Sequence, residues 1–262
     1  MTVAPSASAD FVGVTTVIKD DPDTEFLCTQ GNGDFVPGPL TVCNVFAIFD
    51  NPNDVLISVG NTDLQVYNGE SPDVFFQHPV NGTVFSPLCS LIGFLPDLIC
   101  DTFITIGYNC GPDPAGTDAT AVDGDWNPDE FNNNGYVVGG WFNASWPNGQ
   151  GHASTWPDLK ILIFQSAVLQ GRSLSGDIDI FWWPVTHHDI YVEIDVPVEC
   201  IAPCNSCPTD TDGDGDTDAA DLAVLLGNWG LVDAGECLDN DSSGSIDAFD
   251  LAVLLGNWGP CL

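Results

Sequence analysis

The chain has 262 residues, and its 38 acidic residues outnumber its three basic residues so strongly that the formal net charge is −35. This balance argues against binding to nucleic acid or to an anionic membrane surface, because the chain has almost nothing that can neutralise phosphates. Charged residues are only 16% of the chain and hydrophobic residues are 44%, which is typical of a folded globular protein and not of a disordered acidic tail.

The N-terminal segment, residues 1–19, allows two structural interpretations. Residues 7–9 read Ala-Ser-Ala, which resembles a signal-peptidase site, although the residues before them lack the basic and apolar stretches of a signal peptide. The apolar run from Phe11 to Ile18 predicts a β-strand. This strand is either the first strand of the chain's own sheet or a strand exchanged with a neighbouring copy.

Residues 20–198 are predicted to form a β-sandwich, jelly-roll-like, with no useful amphipathic helix before residue 219. Short runs rich in Val, Ile, Phe and Thr are separated by Asn, Asp, Gly and Pro. The predicted strands, including the N-terminal one, are 11–19, 42–49, 54–59, 63–68, 73–78, 102–108, 135–143, 159–166, 174–183 and 189–196. In the last strand Val192, Ile194 and Val196 alternate with polar or amphipathic residues, which predicts one buried face.

One loop of the predicted β domain carries an alternating acidic pattern. Its members are Asp123, Asp125, Asn127 and Asp129, and Pro128 stands where an EF-type loop would need glycine. A third calcium site is one hypothesis for this loop, and a solvated loop is the alternative.

Tryptophans and histidines raise the questions of glycan binding and catalysis. The tryptophans concerned are Trp141, Trp146, Trp156, Trp182 and Trp183, and core packing is favoured over sugar stacking. Adjacent strand residues point to opposite faces, so one of Trp182 and Trp183 should be buried and the other exposed. His187-His188-Asp189 has no nucleophile motif beside it, so the chain is not predicted to be an enzyme.

Ten cysteines, an even number, predict structural disulfides and therefore an extracellular location, secreted or at the cell surface. Local pairs are expected for Cys28 with Cys43 and for Cys89 with Cys100. Residues 199–208 are rich in Cys and Pro and are interpreted as a stiff linker.

The last quarter of the chain repeats itself at an interval of 29 residues. Residues 210–230 read DTDGDGDTDAADLAVLLGNWG, and residues 239–259 read DNDSSGSIDAFDLAVLLGNWG. Each copy has the spacing of a twelve-residue calcium loop, with glycine at position 6 and an acid at position 12. The expected ligands are Asp210, Asp212, Asp214, Asp216, Asp218 and Asp221 in the first loop and Asp239, Asp241, Ser243, Ser245, Asp247 and Asp250 in the second. Because Ser243 replaces a carboxylate, the second site is expected to bind calcium more weakly.

A short amphipathic helix is predicted after each loop. The apolar residues recur at helical spacing, in the order Leu222, Leu225, Leu226 and Trp229, then Leu251, Leu254, Leu255 and Trp258. Asp218 and Asp247 stand at the N-cap positions. Two such short helices cannot bury their stripes singly, so they are expected to pack on each other or on a partner.

These paired loops and helices, over residues 207–262, resemble the type I dockerin family, in which aspartate closes each calcium loop. The resemblance implies a small α module, residues 209–262, on a secreted bacterial β-sandwich protein, and a cohesin-like β-sandwich as its partner. Loop positions 10 and 11 often face the partner in that family, and here they are Ala219, Ala220, Ala248 and Phe249. The termini of such a module lie close together, so a bond between Cys207 and Cys261 is expected to clasp it.

Two functional hypotheses follow. In the first, the chain is a calcium-stabilised structural protein that self-assembles head to tail into an extracellular fibril or surface array, because it carries both a plug and a β-sandwich. In the alternative, a monomer attaches through its module to a cohesin-type scaffold or cell surface and its β domain binds a glycan. Both hypotheses require two calcium ions and exclude nucleic acid and membrane insertion as partners.

Overall fold

The computed structural model describes residues 11–19, 21–38, 40–67, 74–110, 118–145, 148–169, 172–184, 189–200, 209–210, 216–231, 238–240, 243 and 245–260. The chain divides into two compact units. The first comprises residues 1–169 and 173–200, and the second comprises residues 170–172 and 201–262.

The first unit is built from antiparallel strands in two sheets. Its strands are β1 (Phe11–Ile18), β2 (Leu40–Phe49), β3 (Val55–Tyr67), β4 (Phe103–Ile104), β5 (Thr120–Val122), β6 (Tyr136–Asn143), β7 (Lys160–Leu169), β8 (Ser173–Trp183) and β9 (Tyr191–Cys200). One sheet has the order β1-β2-β7-β4 and the other has the order β5-β6-β3-β8-β9. The predicted mainly β fold is therefore confirmed.

The two sheets contribute to one hydrophobic core, as in a β-sandwich. Alternate residues of β2 and β7, such as Val45 and Ile161, are buried in the same cluster as Leu64 of β3 and Ile180 of β8. β2 presents alternate residues to this core, as period-2 alternation produces, whereas β7 is buried along almost its whole length.

Helical segments in the described part of the first unit are short, as expected. They are α1 (Pro22–Thr24), which continues into one wider turn (Glu25–Thr29), α2 (Cys89–Ile92) and α3 (Pro128–Asn133), with single 3₁₀ turns at Pro96–Cys100, Ala153–Thr155 and Pro157–Leu159. A turn this short has little helical stability of its own and depends on its surroundings.

Several strand predictions need correction. Predicted strands 54–59 and 63–68 form the single strand β3, whose register shifts around Asn61 absorb the polar residues between them. Residues 74–78 of a further predicted strand belong to no ladder, and only Phe103 and Ile104 of the run 102–108 form one. Apolar residues can also be buried in loops, so an apolar run does not by itself indicate a strand.

The alternation predicted for β9 fails in its first half. Val196 is buried as expected, but Val192 and Ile194 are exposed. The register of β9 on β8 shifts between Ile178 and Ile180, and Asp195 adopts a positive φ of 53° at that point. A bulge of this kind changes the direction of the strand, so the residues before it no longer face the core.

The predicted linker also begins too early. Glu199 pairs with Ser175 and Cys200 pairs with Leu174, so β9 continues through the first two residues assigned to the linker. At the other end of the sequence, β1 pairs along its length with β2 of the same chain, which corresponds to the first-strand interpretation. Thr16 Oγ1 donates a hydrogen bond of 2.7 Å to the Glu199 carbonyl.

The cysteines predicted to form disulfides in the β domain do so, but the predicted local pairs are wrong. Cys28 bonds to Cys100, Cys43 to Cys200 and Cys89 to Cys110. The bond from Cys43 joins β2 of one sheet to β9 of the other and closes a loop with a sequence separation of 157 residues. The expected bond between Cys207 and Cys261 lies outside the described residues.

Loop length predicts different stabilities for these bonds. In the chain-entropy description, Cys43→Ala/Cys200→Ala should lower the free energy of unfolding by about 5 kcal/mol, and Cys89→Ala/Cys110→Ala, which opens a loop of 21 residues, by about 3 kcal/mol. Guanidinium unfolding of both double variants measures the difference. An equal loss, or a larger loss for the shorter loop, would contradict this order.

Candidate metal centre and docking face

The second unit contains two nine-residue helices that begin in the same way. They are α4 (Ala219–Gly227) and α5 (Ala248–Gly256). The side chains of Asp218 and Asp247 accept hydrogen bonds from the first helical turn, as predicted for N-caps. The third residue of each helix, Asp221 or Asp250, returns a bond to the cap backbone, which completes a capping box.

Four two-residue strands connect the repeats reciprocally. They are β10 (Asp216–Thr217), β11 (Gly230–Leu231), β12 (Ser245–Ile246) and β13 (Gly259–Pro260). The strand before α4 pairs with the strand after α5, and the strand after α4 pairs with the strand before α5. Each calcium-loop sequence is therefore held by the far end of the other repeat, so the two loops cannot fold independently.

Position 12 of each loop is a fully buried carboxylate. Asp221 and Asp250 have no exposed surface. Asp221 Oδ2 accepts a hydrogen bond of 2.6 Å from Asp218 N, and Asp250 accepts bonds of 2.8 Å from Asp247 N and 2.7 Å from Asn240 N. Backbone N–H groups orient these carboxylates, but hydrogen bonds alone do not offset the cost of burying a negative charge.

The sequence around these carboxylates offers them no positive side chain. Residues 201–262 contain twelve acidic residues and no Lys, Arg or His. A nearby positive charge stabilises a buried carboxylate, and residues 201–262 themselves supply none. A divalent cation with oxygen ligands would provide such a charge, and the number of acidic and hydroxyl oxygens in the two loop sequences suits Ca²⁺ better than Mg²⁺.

The structure describes most, but not all, of the predicted ligands. Asp212, Asp214 and Asp241 lie outside the described residues, and among the residues that are described no group of three His, Cys, Asp or Glu side chains is arranged to hold a metal. In the second loop, Ser243 N donates to Asp239 Oδ1 at 2.9 Å and the Ser243 hydroxyl lies 3.2 Å from the Ser245 hydroxyl. The calcium sites therefore remain a prediction.

The interior of the module is formed from equivalent positions of the two repeats. Leu225 and Leu254 are buried in the same hydrophobic cluster, and Leu222 and Leu251 are partly buried beside them. Thr209 and Thr217 of the first repeat correspond to Leu238 and Ile246 of the second, and all four are buried. The two hydroxyls lie 2.8 Å apart, so this polar pair is satisfied where the other repeat has an apolar pair.

Only half of each predicted apolar stripe is buried. Leu226 and Leu255 are 52% and 53% exposed, and Trp229 and Trp258 are both 48% exposed. The helices thus pack on each other through one set of leucines and leave a second set exposed, in equal measure in both repeats. Exposed apolar groups that recur together are typical of a binding surface.

The residues predicted to face a partner lie at the start of each helix. Ala219, Ala220, Ala248 and Phe249 are all exposed, and Phe249 is 69% exposed. Ala220 and Phe249 occupy the same position of the two repeats, so the second helix presents a large aromatic side chain where the first presents a methyl group. We call these residues, together with the exposed leucines and tryptophans above, the docking face.

The acidic loop of the β domain has local structural roles in the described chain. Asp123 Oδ1 accepts from Asp125 N at 3.0 Å, and Asn127 Oδ1 accepts from Asp129 N at 3.1 Å as the N-cap of α3. Side-chain bonds of this type stabilise turns and helix starts without a metal. A third calcium site stays a hypothesis.

The other predicted functional residues are distributed between the core and the surface. Trp141 and Trp182 are buried and Trp156 packs against the core, while Trp183 is partly exposed, so the two adjacent tryptophans face opposite sides as expected. A buried Trp141 cannot stack on a sugar. Trp146, His187 and His188 lie outside the described residues.

A buried cluster that the sequence did not reveal joins His78 to two aspartates. Nε2 of His78 lies 3.1 Å from Asp97 Oδ1, while its Nδ1 accepts from Val80 N at 3.3 Å, so Nε2 carries the proton. Asp101 accepts from His78 N at 2.8 Å and from Thr83 N at 3.3 Å. Burial raises the pKa of Asp101 to about 7 despite these bonds. The histidine is 19 residues from Asp97 and 23 residues from Asp101, so no local motif marks the cluster.

The calcium interpretation predicts a specific response to loss of one buried carboxylate. Asp221→Asn should lower the affinity of the first site for Ca²⁺ about tenfold or more, because the loop loses its closing ligand. Isothermal titration calorimetry measures the change. Asp177→Asn, which removes the same charge from an exposed position on β8, should leave both affinities unchanged. Two equal binding curves for Asp221→Asn and the unmodified protein would refute the assignment.

The raised pKa of Asp101 predicts a pH-dependent contribution to stability. The folded state retains a proton that the unfolded state loses near pH 4, so this group's contribution falls as pH rises from about 4 to about 7. Asn at position 101 does not titrate, so Asp101→Asn does not lose this contribution as the pH rises. The free energy of unfolding of Asp101→Asn minus that of the unmodified protein should therefore increase by a few kcal/mol between pH 5 and pH 8. Urea unfolding in saturating calcium at both pH values tests this, and an unchanged difference would rule it out.

Comparisons with protein-family models, with curated proteins and with solved structures gave no match for this chain. In the described part of the chain, no helix is both long and apolar enough to cross a membrane.

Proposed function

We propose that the chain is a secreted, calcium-stabilised structural protein whose C-terminal module binds the β domain of another copy. Repetition of this contact would join copies head to tail into an extracellular fibril or surface array. The β domain, a sandwich that is jelly-roll-like in this proposal, would be the rigid body of each subunit. No catalytic role is included.

The docking face is the observation that supports this proposal most directly. Between Ala219 and Gly230, and again between Ala248 and Gly259, the only charged side chains are Asp221 and Asp250, and both are buried. Protein interfaces are poor in charge at their centres and rich in tryptophan among the residues that dominate binding. The exposed, uncharged positions of the two helices, which include Trp229 and Trp258, have this composition.

Calcium has a structural role in the proposal. The buried carboxylates at the helix starts hold the loops, and the loops pair with the far ends of the opposite helices. Without a counter-charge these carboxylates would repel one another, and the relative placement of the two helices would be lost. Loss of calcium should therefore abolish docking by unfolding the module and not by removing a direct contact.

Three disulfides in the β domain accord with an oxidising environment, where such bonds form and persist. Extracellular loops of this type bind calcium in the millimolar range. The proposed location therefore supplies both the redox conditions and the ion that the fold requires.

A head-to-tail contact is heterologous, because it joins two different surfaces, and such contacts continue into open chains unless the geometry closes a ring. The alternative partner is a cohesin-type scaffold, which is favoured by the resemblance of the repeats to dockerins. In that case the same face would bind a foreign β-sandwich and this chain would remain a monomer.

Calcium should control the size of the assembly. Sedimentation velocity and negative-stain microscopy of the full chain should show extended assemblies in about 5 mM Ca²⁺, which is above the roughly 0.1–1 mM dissociation constants of extracellular calcium modules, and monomers after addition of EGTA. Trp229→Asp/Trp258→Asp should remain monomeric in calcium, because charge would enter the centre of the docking face. A monodisperse wild-type monomer in saturating calcium would refute self-assembly.

A further inference from the structure

One exposed region of the β domain is free of charged residues. From Val74 to Pro96, 23 consecutive residues include no Asp, Glu, Lys or Arg, although acids make up 38 of 262 residues and about three would be expected in a stretch of this length. The nearest acids in sequence, Asp73 and Asp97, bound the run. We call residues 74–96 the neutral lobe.

The neutral lobe presents large apolar side chains at the surface. Phe94 is 84% exposed, and Val74 and Val80 are also exposed. Phe94 N donates to the Leu91 carbonyl at 2.9 Å, so the turn that carries the phenylalanine is ordered by its own backbone. An exposed aromatic side chain at a fixed position is typical of a surface that binds another molecule.

Covalent and buried polar contacts hold the neutral lobe in place. The bond from Cys89 to Cys110 fixes α2, and the contact between His78 and Asp97 joins the beginning of the lobe to the residue directly after its end. Asp101 holds the intervening turn through the backbone N–H groups of His78 and Thr83. A surface fixed before binding loses little conformational entropy when a partner docks.

A second exposed apolar region of the β domain, on β9, is different in charge. On β9 and directly before it, Ile190, Val192 and Ile194 alternate in sequence with Asp189, Glu193 and Asp195. A partner that covered this strand would have to desolvate carboxylates for which the chain has almost no basic residues.

The charge of the chain restricts where two copies can touch. Each copy carries a formal charge of −35, so two surfaces of the same protein repel each other unless both lack carboxylates. The docking face of the C-terminal module has no exposed charge, and the neutral lobe contributes no carboxylate of its own. The carboxylates that accept hydrogen bonds from the lobe are Asp97 and Asp101, which are buried, and Asp118, which accepts from Ser86 at 2.8 Å.

We propose that the neutral lobe is the surface on which the docking face of a second copy binds, with Phe94 at the centre of the contact. This inference depends on the proposed self-assembly and specifies its second half. It also explains why an exposed phenylalanine stands in a region from which charge is missing.

The test uses the full chain in calcium with two matched substitutions. Phe94→Asp should raise the concentration needed for assembly about tenfold or more, as expected for loss of a dominant interface residue. Ile194→Asp introduces the same change at a side chain that is 61% exposed on β9 and should leave assembly unchanged. Near-ultraviolet circular dichroism checks that both variants are folded. Folding is expected because both substituted side chains are exposed.

Mixing provides an independent readout. Phe94→Asp keeps an intact docking face, and Trp229→Asp/Trp258→Asp keeps an intact lobe. Each should be monomeric alone, and an equimolar mixture should form a defined heterodimer, because one intact contact remains and no further growth is available.

The outcomes separate this inference from the proposed function. If wild type assembles and Phe94→Asp assembles equally well, or if Ile194→Asp dissolves the assembly, the lobe is not the receiving surface although self-assembly stands. If wild type is monomeric in calcium, both proposals fail. If wild type floats with neutral phosphatidylcholine vesicles and Phe94→Asp does not, the lobe binds lipid and the second-copy proposal is overturned.

Discussion

An excess of negative charge is the constraint on which the C-terminal module depends. Twelve acidic residues and no Lys, Arg or His occupy residues 201–262, and two of the carboxylates, Asp221 and Asp250, are fully buried. Backbone N–H donors orient these carboxylates, and residues 201–262 themselves carry no basic side chain that could cancel their charge. A bound cation would do so, and the reciprocal pairing of the repeats would then pass its stabilisation from each loop to the other.

The same excess of charge determines where the surface can associate. Most of the exterior repels a second copy, so the uncharged regions become the surfaces on which contact costs least. The two helices expose equivalent side chains to nearly equal degrees, Leu226 with Leu255 and Trp229 with Trp258. They differ at Phe249, because the first helix has alanine at that position. A partner can therefore distinguish the two repeats although ten consecutive residues of each are identical.

The β domain supplies a different kind of stability. Its sheets share one core, and the bond between Cys43 and Cys200 fastens one sheet to the other near the place where β1 and β9 meet. Asp179 receives hydrogen bonds from Asn61 and from the backbone of Asp195, so one buried carboxylate holds the irregular points of two neighbouring strands. In the proposed assembly, such a body would transmit contacts between subunits.

Local pattern determined much of this protein. The repeat, the N-caps Asp218 and Asp247, and the centres of most strands followed from spacing and residue type, because capping and alternation are decided within a few residues. Tertiary structure alone decided the cysteine partners, the bulge that exposes Val192 and Ile194, the half of each helical stripe that is buried, and the contact between His78 and Asp97. These depend on segments far apart in sequence being brought together, and short-range chemistry carries no record of which segments will meet.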